Sequence, residues 1–186
     1  LRSQCAVLVI GILWSLHALG ATIVNINSIT NNPSNPVLLS FEPGLYKATQ
    51  IGTLEGGLYD SWNAWGGNVS GCAGNGANCA EGWLNWFNIF VPGLGELAFG
   101  SDNGPYISAV DSLAQAPNYP VFEIFAPITF EFFIDDGFFD DNIGGISLLV
   151  EPVPVPASII FLASALVPLL GQFGSRLRAS WSWSAT

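Results

Sequence analysis

Ile128-Thr129-Phe130-Glu131-Phe132-Phe133-Ile134 is the stretch on which the fold turns. Ile128, Phe130, Phe132 and Ile134 alternate with Thr129, Glu131 and Phe133, the two-residue period of a strand with one face buried and the other partly wet. On either side lie further short runs of β-type residues, at 37–41, 45–51, 83–91, 121–125, 127–134 and 145–150, and between Thr22 and Glu151 no segment carries a sustained helical period. Pro43-Gly44, Gly56-Gly57, Gly66-Gly67 and Pro92-Gly93 supply turn chemistry between them. The expected fold is all-β, two packed antiparallel sheets forming a β-sandwich of the jelly-roll kind.

Half of the 186 residues are hydrophobic and only a tenth are charged, with a net charge of −10. Every Asp and Glu falls between Glu42 and Glu151, and Lys47 is the one cation in that span. A body so acidic is repelled by phosphate backbones, which argues against nucleic acid and for divalent cations or neutral polymers as partners.

Both ends read as targeting segments. Arg2, the apolar residues 6–19 and the small residues Ala18, Gly20 and Ala21 have the layout of an export signal, so residues 1–21 are expected to form a cleavable signal helix. Cys5 would leave with it, and the remaining pair, Cys72 and Cys79, reads as a disulfide closing a short loop. After a sandwich domain over 22–151 the chain runs Pro152-Val153-Pro154-Val155-Pro156, then an apolar segment at 157–171, then Arg176 and Arg178. Prolines stop the last strand and stiffen a spacer, and the apolar segment is expected to form a single transmembrane helix with its arginines on the cytoplasmic side. Residues 179–186 are a short polar, Trp-containing extension.

Residues 152–178 resemble the PEP-CTERM sorting domain of Gram-negative bacteria that make extracellular polysaccharide, with Val155 where the family often has Glu. The resemblance implies an exosortase-type membrane protease as partner. It also implies transient anchoring in the inner membrane through the C-terminal helix, and a final place at the cell surface or in the extracellular matrix.

Two stretches of the body carry more than folding requires. Gly56-Gly57-Leu58-Tyr59-Asp60-Ser61-Trp62-Asn63-Ala64-Trp65-Gly66-Gly67 gathers two Trp, a Tyr and a carboxylate on one loop. Exposed, Tyr59, Trp62 and Trp65 would stack on sugar rings while Asp60 bonds hydroxyls; buried, the two Trp would plug the open end of the sandwich. The second stretch, Asp135-Asp136-Gly137-Phe138-Phe139-Asp140-Asp141-Asn142, puts four carboxylates and an amide in eight residues with no nearby cation. Such clustered oxygens suit Ca²⁺, which takes six to eight oxygen ligands, better than zinc, while a solvated acidic turn is the plainer reading.

The acidic stretch and the Gly144-Gly145-Ile146-Ser147-Leu148 that follows it resemble the calcium-containing, galactose-binding-like sandwiches of bacterial galactophilic lectins. The resemblance implies calcium held by Asp135 or Asp136, the Phe138 carbonyl, and Asp141 with Asn142; Asp140 joins the candidate ligands by its place in the cluster. The body has no His to match the one such lectins use for sugar.

An enzyme is not expected, because the body lacks His and has one Lys, which removes most nucleophilic and Schiff-base schemes. Glu131 with Asp135, or Asp60 with Glu81, would be the carboxylate pairs of a glycoside hydrolase. The sequence instead points to an exported surface or matrix protein with a calcium-stabilised, carbohydrate-binding sandwich; the alternative is a structural matrix component that binds no ligand.

Overall fold

The computed structural model describes residues 20–154. The expected signal helix, the apolar segment at 157–171, and Val155, Pro156, Arg176 and Arg178 lie outside the described residues. Among those described, no helix is long and apolar enough to cross a membrane.

The described residues form ten strands: β1 (Thr22–Asn27), β2 (Val37–Phe41), β3 (Gly44–Ile51), β4 (Trp62–Asn63), β5 (Trp83–Leu84), β6 (Phe87–Val91), β7 (Gly95–Phe99), β8 (Phe122–Ile124), β9 (Ile128–Phe133) and β10 (Ile143–Pro152). They build two antiparallel sheets. One runs β5-β4-β10-β3-β8, with β1 also paired to β10; the other runs β2-β9-β6-β7. The last strand is therefore the centre of the first sheet, with Leu148 opposite both Val24 of β1 and Gln50 of β3.

Alternation decides which side chains face inward. In β9, Phe130 and Phe132 are buried as the pattern requires; in β10, Ile146, Leu148 and Val150 are buried, and in β1, Val24 and Ile26. These residues, with Phe41, Tyr46, Trp62, Phe87 and Val91, form one core drawn from the inner faces of both sheets, so the all-β sandwich expected from the sequence is the fold. Burying aromatic side chains of this size supplies most of the driving force for bringing the sheets together. Pro152 ends β10, and only the Val153 N–H continues the pairing, donating to the Leu45 carbonyl at 2.8 Å.

Three expectations change, the first being that β4 and β7 lie outside the runs read from the sequence. The run at 83–91 is two strands, β5 and β6, because Asn85 is fully buried and its amide serves other partners: Nδ2 donates to the Ser112 carbonyl at 2.7 Å and Oδ1 accepts the Ser101 N–H at 2.9 Å. The chain also contains a helix, α1 (Ala109–Ala114), too short for its period to stand out in the sequence. Ser108 caps it by accepting the Asp111 N–H at 3.1 Å.

Candidate functional site

The aromatic loop and the acidic loop meet. Pairing of β4 with the start of β10 sets Asn63 against Ile143 and Trp62 against Gly144, and the Gly66 N–H donates to the Asp141 carbonyl at 2.9 Å. Fully buried Asn63 shapes the turn at the end of the aromatic loop: its Nδ2 donates to the Asn68 carbonyl at 2.9 Å, while its Oδ1 accepts the Trp65 N–H at 2.7 Å and the Gly67 N–H at 3.2 Å.

Most of the aromatic loop's polar groups are engaged within the fold. Trp62 is only 4% exposed, inside the core, with Nε1 donating to the Trp86 carbonyl at 2.8 Å. Its ring offers no surface to a sugar, against the stacking role expected of it, while Trp65 is half-buried. Asp60 Oδ1 accepts both the backbone N–H and the hydroxyl of Thr53, at 2.7 and 3.0 Å. The Tyr59 hydroxyl accepts from Asn27 Nδ2 at 3.0 Å, and its N–H donates to Ser147 Oγ at 2.9 Å, so this part of the loop lies over the outer face of β1 and β10. A side chain at Gly145 would run into the Ile26 carbonyl and the Tyr59 ring, which is why that position is glycine.

The acidic loop is divided between surface and interior. Asp135, Phe138, Asp140 and Asp141 are exposed, and half-buried Asp136 folds back to accept the Gly137 N–H at 2.7 Å. Asn142 is 2% exposed; its Nδ2 donates to the Ser28 carbonyl at 3.0 Å, and its Oδ1 is buried without a donor. Among the described residues no three His, Cys, Asp or Glu side chains converge as a metal site. The fit to calcium is therefore partial: no three carboxylates converge, and Asn142 Oδ1 is buried while Asp135, Asp140 and Asp141 are exposed. Leaving that oxygen unsatisfied costs roughly 1–3 kcal/mol.

The other carboxylates proposed for hydrolysis have local duties or none. Glu81 Oε2 accepts the Ser70 hydroxyl at 3.2 Å, Asp60 is committed to Thr53, and Glu131 sits in β9 opposite Leu38.

A second site was not legible in the sequence. Cys72 and Cys79 are joined in a disulfide, as expected, and the loop they close stands against residues 103–107 and α1. Three backbone bonds hold it there: Asn78 N–H to Asn103 carbonyl at 3.1 Å, Cys79 N–H to Pro105 carbonyl at 3.1 Å, and Ile107 N–H to Gly76 carbonyl at 3.3 Å. Asn78 takes a positive φ of 54°, a conformation that Asn tolerates better than most residues. Between these walls lies a groove of about 340 Å³ whose rim carries Asn75, Asn78, Asn103, Asp111 and Gln115. All five are exposed, and the side chains of Asn78, Asn103 and Gln115 make no hydrogen bond to another described residue. Tyr106 forms the buried floor, its hydroxyl 2.8 Å from Ser101 Oγ, and Ile107 adds an apolar edge. The residues are spread over 75–115, so only the fold brings them together; the density of Asn around the disulfide was the one signal available.

Compared with known proteins, the chain matches no family model, and no curated protein or solved structure is similar to it.

Proposed function

We propose that the chain is an exported protein displayed at the surface or in the extracellular matrix of a Gram-negative bacterium, where its sandwich binds neutral carbohydrate in the groove between the disulfide loop and α1. One observation carries the binding reading: exposed amides of Asn78, Asn103 and Gln115 surround a single groove with their hydrogen-bonding capacity unspent. Each amide offers both a donor and an acceptor, which is what a sugar hydroxyl requires. A net charge of −10 favours a neutral polymer over an anionic one. Export and display rest on the resemblance of residues 152–178 to the PEP-CTERM tail, with an exosortase-type protease as the processing partner.

Calcium belongs to this proposal as a staple of the 135–142 loop, held by Asp140 or Asp141 with Asn142 Oδ1 and the Phe138 carbonyl, and not as a ligand of the sugar. No catalytic step is proposed.

Affinity electrophoresis of the full chain through gels containing neutral polysaccharides tests the reading. Retardation is expected for the wild type and not for an Asn103→Ala/Gln115→Ala variant; equal mobility of the two in every gel would sink the groove as a sugar site. A second reading, a displayed structural domain without ligand, is favoured by the internal engagement of Trp62 and Asp60, and it gains if no polysaccharide retards the chain.

A further inference from the structure

The sandwich is not filled to the same depth throughout. Between the edge strands β7 and β8 its interior opens into an apolar cleft of about 450 Å³, the size of a small-molecule site. Two aromatic walls face it. One is Phe87, Phe99 and Tyr119, with ring centroids 5.5–5.6 Å apart; the other is Phe41, Phe122 and Phe130, at 4.7–6.1 Å. Ala48 of β3 and Val150 of β10, paired in register, line it from the first sheet, and the small Ala48 side chain leaves the space that a larger residue would occupy.

One polar pair stands beside this apolar space: Tyr119, which lines it, and Gln50, which meets Tyr119 but does not line the cleft. Gln50 lies two residues beyond Ala48 in β3 and so shares its inward face. It is 8% exposed. Its Oε1 is 3.4 Å from the Tyr119 hydroxyl, long for such a bond, and its Nε2 has no partner. Turning the amide end for end would only exchange which atom is left over. Burial raises the Tyr119 phenol far above its ordinary pKa, so it stays a neutral donor.

We propose that this cleft binds an uncharged apolar small molecule bearing one carbonyl or hydroxyl oxygen, which accepts from the weakly engaged hydroxyl of Tyr119, while its apolar body lies between the two aromatic walls. Charge selects against the alternatives. Lys47, the only Lys or Arg among the described residues, alternates with Ala48 onto the opposite face of β3, so nothing there neutralises a carboxylate, and Glu123 lines the cleft. A second copy of the chain, docking edge to edge, would bring Glu96 of β7 and Glu123 of β8 against an equally acidic partner. The cleft also reaches the nearly inaccessible Phe87 and Phe132, deeper than any strand addition would fill.

The uncharged probe N-phenyl-1-naphthylamine, whose fluorescence rises in apolar surroundings, tests this on the full chain. Saturable binding is expected, displaced by 1-decanol at far lower concentration than by decanoate. Ala48→Phe should abolish it by filling the cleft, and Leu97→Trp at the exposed mouth should weaken it even if Ala48→Phe fails to fold. Tyr119→Phe should leave the probe bound but weaken decanol about tenfold, the loss of one hydrogen bond. The proposal is overturned if decanoate competes as well as decanol, or if binding survives both cleft variants, because the probe then sits elsewhere, residues 157–171 included. It is also overturned if the chain doubles its mass in solution and Leu97→Trp restores the monomer, which would make the cleft a contact between copies.

Discussion

Asn142 Nδ2 donates to the Ser28 carbonyl at 3.0 Å, joining residues 114 positions apart. The bond pins the end of the acidic loop to the turn that follows β1, and Ser28 reciprocates along the same seam by donating its N–H and its hydroxyl to the Gly144 carbonyl, at 3.1 and 2.9 Å. Asn142→Asp keeps the side chain's shape and its donorless oxygen but turns the Nδ2 donor into a second acceptor facing the Ser28 carbonyl, which is left unsatisfied. The expected loss is roughly 1–3 kcal/mol in urea unfolding. A variant within about 0.5 kcal/mol of the wild type, the usual range for a surface change, would show that the seam is not held this way.

Trp62 and Trp65 are expected to part company under mutation. Trp62→Ala opens the core and strands the Trp86 carbonyl, and should cost about 3–5 kcal/mol. Half-buried Trp65→Ala should cost less than about 1 kcal/mol. The same Trp65 variant decides between sugar sites: loss of polysaccharide retardation at unchanged stability would move binding from the amide groove to the aromatic loop.

Replacing both Cys72 and Cys79 by Ser frees the loop that carries Asn75 and Asn78. By the chain-entropy account, a loop this short contributes about 2–3 kcal/mol, so the sandwich should remain folded while polysaccharide retardation falls. Retardation that is unchanged in the folded variant would mean that the groove does not need its disulfide wall.

Calcium should raise the melting temperature above that in chelator by about 3 °C or more, and Asp140→Asn/Asp141→Asn should abolish the difference. Identical melts with and without calcium would remove the ion from the proposal. The amide groove would be untouched by that result, since none of its residues belongs to the 135–142 loop.

Patterns within a single strand were legible in the sequence, and arrangements between strands were not. The alternation at 128–134 and the run at 145–150 announce β9 and β10 because the inward positions are large and apolar. What escaped was local structure carried by polar residues. Asn85 breaks a strand and Asn63 builds a turn, each by being fully buried and hydrogen-bonded, a fate that composition alone assigns to few asparagines. Trp62 shows the same limit from the other side. Its residue type suits a sugar platform and a core plug equally, and only the partner of its Nε1 separates the two. The groove residues, contributed by three separate segments, become neighbours only through backbone bonds such as Asn78 N–H to Asn103 carbonyl.

The position of β10 bears on when the chain can fold at all. Without residues 143–152 the first sheet falls into a β5–β4 pair, a β3–β8 pair and an unpartnered β1, so this sheet, though not the second, waits for the last strand. A chain growing from its N-terminus, or passing lengthwise through a pore, cannot close its core until almost the whole body has emerged, and its long-range pairings make even that closure slow. Lateness of assembly is thus written into the strand order, and a molecule built this way stays threadable for as long as it is being threaded.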